Sequence, residues 1–136
     1  MTLTDAGPLV ALFDRRDPLH DRCWEAARSL PPTSLLTTWP CISEATHLLR
    51  RSVGWPGVEQ LWNAIEFRRI EIAASQEEDI DRIYELMRQY RDLPMDLADA
   101  SLVALAERLN VRLMFTIDSD FRIYQLRSGS YFTVIP

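Results

Sequence analysis

Lysine is absent from this chain, and all 15 of its basic residues are arginine. Against 20 acidic residues they leave a formal net charge of −5. That balance excludes a protein that holds nucleic acid mainly through a broad basic surface, because neutralising phosphates takes clustered cations. It does not exclude chemistry on a phosphate through a bound cation, which reverses the field of an acidic site. Arginine suits forked contacts to phosphate, but a GC-rich coding sequence also produces an arginine-only set, and the second explanation is preferred. Cysteine is scarce: Cys23 and Cys41 both fall inside hydrophobic helical patterns and read as reduced, packed thiols rather than a disulfide. The histidines, His20 and His47, are isolated, so no zinc-type spacing exists, and His47 reads as a packed or rim residue. No apolar run approaches the ~18 residues of a membrane span. Met1 to Asp5 meets an acid before any leader-like stretch develops, so a cytoplasmic protein is expected. Repeats, low-complexity tracts and linkers are also missing, and a single domain over residues 1–136 fits the length.

What is present is an alternation of short apolar runs with amphipathic stretches. Strands are expected at Thr2 to Asp5, Leu35 to Trp39, Arg69 to Ala73, Leu113 to Ile117 and Tyr131 to Ile135. Helices are expected at Pro8 to Phe13, from Asp17-Pro18 to Leu30, from Pro40 to Val53-Gly54, and over Val58, Leu61, Trp62 and Ile65. Trp55-Pro56-Gly57 reads as a turn. Ser75 with Glu78 reads as a capping box before the periodic Ile80, Ile83, Tyr84 and Met87. Leu93-Pro94 ends that helix, Met95 to Leu109 forms the next one with Asn110 closing it, and Asp120 to Leu126 makes a short helical turn. The pattern indicates an α/β fold with three layers, a central mostly parallel sheet flanked by helices. Ligands of such sheets collect at the carboxyl ends of the strands.

Among the acids, a few sit where a plain surface carboxylate is not expected. Asp5 and Asp118 each lie just past a strand, although Asp5 also suits a helix cap and Asp118 and Asp120 also suit a turn. Asp99 shares a helical face with Leu102, Val103 and Ala106, and an ionised carboxylate on an apolar stripe needs a cation, an arginine or a proton. Asp96, one turn earlier, is explained as well by capping or by the helix dipole. Glu44 borders the stripe that contains Leu48, with a first-turn dipole role as the alternative. Taken together, these carboxylates converge at one sheet edge, where mutual repulsion raises their proton affinity unless a divalent metal neutralises them. Oxygen-only ligands select a hard cation, Mg²⁺ or Mn²⁺.

These segments resemble the PIN-domain ribonucleases, in particular the VapC-type toxins of toxin–antitoxin pairs. The likeness runs through Leu3 to Val10, Ser43-Glu44, Asp96 to Ala104 and Thr116 to Phe121, and so spans nearly the whole chain. Its most specific part is Asp99-Ala100 followed, after a strand, by Thr116-Ile117-Asp118-Ser119-Asp120-Phe121. The resemblance implies an acidic quartet of Asp5, Glu44, Asp99 and Asp118, with Asp96 and Asp120 as auxiliary metal-site carboxylates. The family often carries Ser or Thr right after its first Asp, where this chain has Ala6, so hydroxyl support has to come from Thr4 or Thr116.

By the same resemblance the reaction is metal-assisted hydrolysis of an RNA phosphodiester, leaving a 3′-hydroxyl and a 5′-phosphate in single-stranded or loop RNA. Asp5, Asp99 and Asp118 would hold the metal, and Glu44 would orient the attacking water or act as base. Arg50, Arg51, Arg15 and Arg122 are candidate phosphate guides, with solvated helix ends as their alternative reading. A homodimer is implied, and so is a cognate antitoxin whose peptide inserts near the acids; the second helix and the Trp55–Trp62 segment are candidate surfaces for them. The rival readings are a housekeeping PIN nuclease, a DNA nuclease or phosphatase using the same carboxylates, and a degenerate scaffold that only binds RNA or protein.

Overall fold

The computed structural model describes residues 1–136. The chain runs β1 (Thr2–Thr4), α1 (Ala6–Phe13), α2 (His20–Ser29), β2 (Leu35–Thr37), α3 (Trp39–Ser52), α4 (Trp55–Glu66), β3 (Ile70–Ile72), α5 (Glu77–Gln89), α6 (Leu97–Leu109), β4 (Leu113–Phe115), a 3₁₀ turn (Ser119–Arg122) and β5 (Thr133–Ile135). The sheet has five strands in the order β3-β2-β1-β4-β5. Every pairing is parallel, with Leu3 opposite both Leu36 and Met114. Parallel neighbours require long crossovers, which the helices supply.

Side-chain alternation along these short strands divides the core between the two faces. Leu3, Leu36, Met114 and Val134 point to the side covered by α5 and α6. Leu35, Ile70 and Ile72 point to the side covered by α1, α3 and α4, where Phe115 and Ile135 pack with α1 and α2. The result is the three-layer arrangement expected from the sequence. Arg82 forks onto Glu107 at 2.7 and 3.0 Å, and Arg108 pairs with Asp79 at 3.1 Å, fastening α5 to α6. No helix is long and apolar enough to cross a membrane. Both cysteines are free and buried.

Several local expectations shift. Trp55-Pro56-Gly57 is the first turn of α4 rather than a turn between elements. Proline is tolerated there because first-turn N–H groups have no intrahelical partner, and the chain reversal falls on Gly54 at φ 95°. The capping pair is Gln76 and Asp79, one residue beyond Ser75 and Glu78, with Asp79 accepting the Gln76 N–H at 3.1 Å. Helix α1 begins at Ala6, two residues before Pro8, because Asp5 caps it. Helix α2 begins at His20, after Asp17 has turned the chain by accepting the Leu19 N–H at 2.8 Å. Asn110 closes α6 in the left-handed region at φ 54°, as its residue type suggested.

Candidate active site

β1 and β4 are adjacent at the centre of the sheet, and their carboxyl ends deliver the first two acids. The Asp5 backbone N–H donates to the Phe115 carbonyl at 3.1 Å, extending the ladder by one bond. Its carboxylate is split between two tasks. Oδ1 accepts the Ala6 N–H at 2.7 Å and caps α1, while Oδ2 accepts the Thr116 hydroxyl at 3.1 Å. Capping and a place in the site therefore coexist in one side chain. Thr4 does not supply the missing hydroxyl, since its Oγ1 donates to the Asp5 carbonyl instead. Thr116 also accepts the Asp118 N–H at 3.0 Å, and Asp118 in turn accepts the Asp120 N–H at 2.9 Å at the start of the 3₁₀ turn. Gly7 eases this proximity: a Cβ there would stand 2.8 Å from Cγ1 of Ile117, so a larger residue would have to push the Ile117 side chain aside where α1 meets the exit of β4.

Asp99 enters from the opposite layer, in the first turn of α6. Residues 98 to 106 of that helix are all buried, so its apolar surroundings wrap the whole helix rather than forming one stripe. The Asp99 N–H donates to Oδ1 of Asp96, the exposed N-cap, at 2.8 Å. The Asp99 carboxylate accepts the phenol of Tyr124 at 2.8 Å through Oδ2. Ligand oxygens from Asp5, Asp99 and Asp118 all lie within 4.8 Å of one another. Asp5 and Asp99 are each only 7% exposed.

No arginine neutralises this cluster, because the ion pairs of the chain join Arg82, Arg108 and Arg127 to Glu85, Glu107 and Asp79. Burial pushes the Asp5 carboxyl up to about 6 despite the Ala6 and Thr116 hydrogen bonds, and the charges of Glu44 and Asp118 add to the rise. Burial likewise pushes Asp99 up to about 7, opposed by the Tyr124 hydrogen bond and assisted by Asp96, Asp5 and Asp118. Glu44, in the second turn of α3 and not the first, has no helix-dipole explanation. Partial burial, then the charges of Asp96 and Asp118, raise its proton affinity. Glu44 and Asp96 line the same depression of about 440 Å³ as the three clustered acids, together with Leu48 and Ile117. Its neighbour along α3 is lined by Glu44, Asp96 and His47, so His47 is a rim residue.

An oxygen-only set of close carboxylates with no cationic side chain fits a hard divalent cation. Cys41, the nearby thiol, is pushed up to about 12 by burial and by the charge of Asp5, so it stays protonated and is no competing ligand. The remaining candidates are not brought to the cluster. Asp120 is held in the 3₁₀ turn and does not line the depression. Arg50 and Arg51 occupy the last turn of α3, and the Arg50 guanidinium lies 5.8 Å from the centre of the Trp55 ring. Arg15 lines a separate groove between α2 and α4, which it shares with His20 and Trp24. Arg122 donates to the Pro136 carbonyl at 3.4 Å. The depression itself contains no basic residue. Sequence reasoning missed Tyr124; its signal was the spacing of three from Phe121, which places both rings on one side of the turn.

Comparison with known proteins adds a family. A family model described as PIN domain matches residues 2–125. The chain is 26% identical over 135 residues to Ribonuclease VapC26 of Mycobacterium tuberculosis, covering 98% of this chain and 99% of that protein. The crystal structure of M. tuberculosis VapC20, described as a sarcin–ricin loop cleaving toxin, superposes with a TM-score of 0.83 at 18% identity and full coverage of both chains. A chain from a toxin–antitoxin complex of Klebsiella pneumoniae superposes with a TM-score of 0.66 at 18% identity over 88% of each chain.

Proposed function

The chain belongs to the PIN-domain family, and from that premise we propose that it is a Mg²⁺- or Mn²⁺-dependent endoribonuclease acting in the cytoplasm as the toxin of a toxin–antitoxin pair. The observation that carries this reading is the meeting of Asp5, Asp99 and Asp118 within 4.8 Å, two of them buried and none paired with an arginine. Buried carboxylates in that state are stable as a group only with protons or a cation between them. RNA is favoured as substrate by the ribonuclease relative and by the neighbour that cleaves the sarcin–ricin loop.

Asp5, Asp99 and Asp118 would hold the metal. When bound, a divalent ion polarises the phosphodiester and neutralises charge that develops on it. The chain's own groups supply the rest. Thr116 and Tyr124 hold Asp5 and Asp99 in place by hydrogen bonds, and Glu44, with its raised proton affinity at the open side of the depression, takes a proton from the attacking water. Water adds to phosphorus, the bond from phosphorus to the 3′ oxygen breaks, and that oxygen takes a proton from solvent water and leaves as a hydroxyl, so the other fragment keeps a 5′-phosphate. Without a basic lining, substrate binding rests mainly on the metal and on contacts outside the depression.

The partner reading follows from the neighbour solved as a toxin–antitoxin complex. An antitoxin peptide would cover the acidic depression. A homodimer is supported by the exposed Trp39, Trp55 and Trp62 of α3 and α4, with the Trp39 and Trp62 rings 6.4 Å apart.

The test is cleavage of a structured RNA and of single-stranded DNA by the purified protein with Mg²⁺, with Mn²⁺ and with excess EDTA. RNA cleavage that needs the metal and disappears in Asp99→Asn is expected. Full activity in EDTA would sink the metal mechanism.

A further inference from the structure

Tyr124 is fully buried, although its sequence neighbours Arg122, Ile123 and Gln125 are exposed. Two rings hold it. Phe121 meets it edge-on with centroids 5.2 Å apart, and Tyr90, at the end of α5, lies 5.1 Å away. The Tyr90 hydroxyl accepts the Gln125 N–H at 2.9 Å and bonds no atom of Tyr124 or of the acids, so it is the packing of the Tyr90 ring that holds the phenol. The phenol thus has one orientation, and in it the O–H points at Oδ2 of Asp99 at 2.8 Å. A packed aromatic ring with a single polar tip aimed at a buried carboxylate is costly to arrange, since a buried hydroxyl must find a partner.

We propose that Tyr124 is a positioning residue for the acid cluster: by donating to Oδ2 it locks the Asp99 side chain so that the other oxygen faces Asp5 and Asp118. This rests on the reading of the cluster as a divalent-cation site. A carboxylate that must swing between positions loses freedom when it takes up a metal, whereas one already fixed loses none. Hydrogen-bond partners that orient metal ligands are worth about 10- to 100-fold in metal affinity. Asp5 is held in the same way by Thr116, while Asp118, half-buried, is held through its N–H on Thr116 and by accepting the Asp120 N–H.

The test is Mn²⁺ affinity, measured by calorimetry and by the electron-spin signal of free Mn²⁺ and without RNA, for the wild type, Tyr124→Phe and Tyr90→Phe. Tyr124→Phe keeps the packed ring and removes only the donor to Asp99. Tyr90→Phe removes a hydroxyl of the same chemistry that touches no cluster acid, so it reports what general loosening of this corner does. The expected result is Mn²⁺ binding about 10-fold or more weaker in Tyr124→Phe and close to wild type in Tyr90→Phe. Wild-type affinity in Tyr124→Phe would overturn the positioning role and leave the metal site standing. Equal losses in both variants would also overturn it, assigning Tyr124 to packing. Absence of Mn²⁺ binding in the wild type would overturn the positioning role together with the metal-site reading beneath it.

Discussion

Thr116 donates its hydroxyl to Oδ2 of Asp5 at 3.1 Å, across a sequence separation of 111 residues. The Thr116 hydroxyl oxygen itself accepts the Asp118 N–H at 3.0 Å, so one side chain ties two cluster acids together. Thr116→Val keeps the shape, deletes the donor and strands the Asp118 N–H. Hydrogen bonds to charged groups are worth about 1.5–3 kcal/mol, so a loss of that order is expected in a denaturant titration. Cleavage should fall by about 10-fold or more. A variant with wild-type stability and cleavage would show the bridge to be idle.

Asp99 and Asp96 separate by role. Asp99→Asn removes a clustered charge whose proton affinity is already high, so it should nearly abolish cleavage while leaving the metal-free protein as stable as wild type or more so. Asp96→Asn keeps an N-cap and should retain most activity, whereas Asp96→Ala should cost about 1 kcal/mol of stability. Melting curves with and without Mg²⁺ check this, because a ligand bound only by the folded state raises the melting temperature. A wild-type Mg²⁺ shift in Asp99→Asn, with the shift lost in Asp96→Asn, would reverse the assignment.

Glu44 lines the depression but stands outside the group of three close ligands. Glu44→Gln should therefore lower the cleavage rate by about 100-fold, the scale of general-base loss, and weaken Mn²⁺ binding much less than Asp99→Asn does. Parallel losses of rate and Mn²⁺ affinity in Glu44→Gln would make it a ligand instead of a base.

Metal-free stability should depend on pH in a definite direction. Unfolded, both aspartates titrate near about 4, but folded they titrate near about 6 for Asp5 and about 7 for Asp99. Between those limits the folded state holds more protons than the unfolded one. The contribution of these groups is then fully favourable below about pH 4 and is lost as pH rises through 7. Melting temperatures in EDTA should fall over this window, and Asp99→Asn should flatten the fall. A rise across the window in the wild type that Asp99→Asn leaves unchanged would contradict the assignment.

The strand-end rule made Asp5 and Asp118 legible, because apolar runs and the acids that close them are local features. Asp99 was legible because a charge among Leu102, Val103 and Ala106 has no solvent to face. What stayed hidden depends on contacts distant in sequence. Tyr124 sits in a short segment whose burial is decided by Tyr90 and Phe121, and nothing local marks its phenol as bound to a residue 25 positions earlier. The arginines lie outside the depression for a related reason. Arg50 follows Glu44 closely in sequence, but six residues of helix carry it about 9 Å along the axis, to Trp55. Pro56 and Pro40 take the same position in the first turn of their helices, but Gly54 and Gly57 on either side of Pro56 give that segment the local signature of a loop.

β1 precedes every other strand in the sequence and takes the central place in the sheet, yet its neighbour on one side is β4, made more than a hundred residues later. Asp5 therefore waits for more than a hundred further residues before Asp118 can join it. A growing chain on the ribosome carries the individual acids but no assembled cluster, and any product that stops short of β4 lacks it as well. The order of the strands makes the three-acid cluster a late product of synthesis, present only once the chain has passed residue 118.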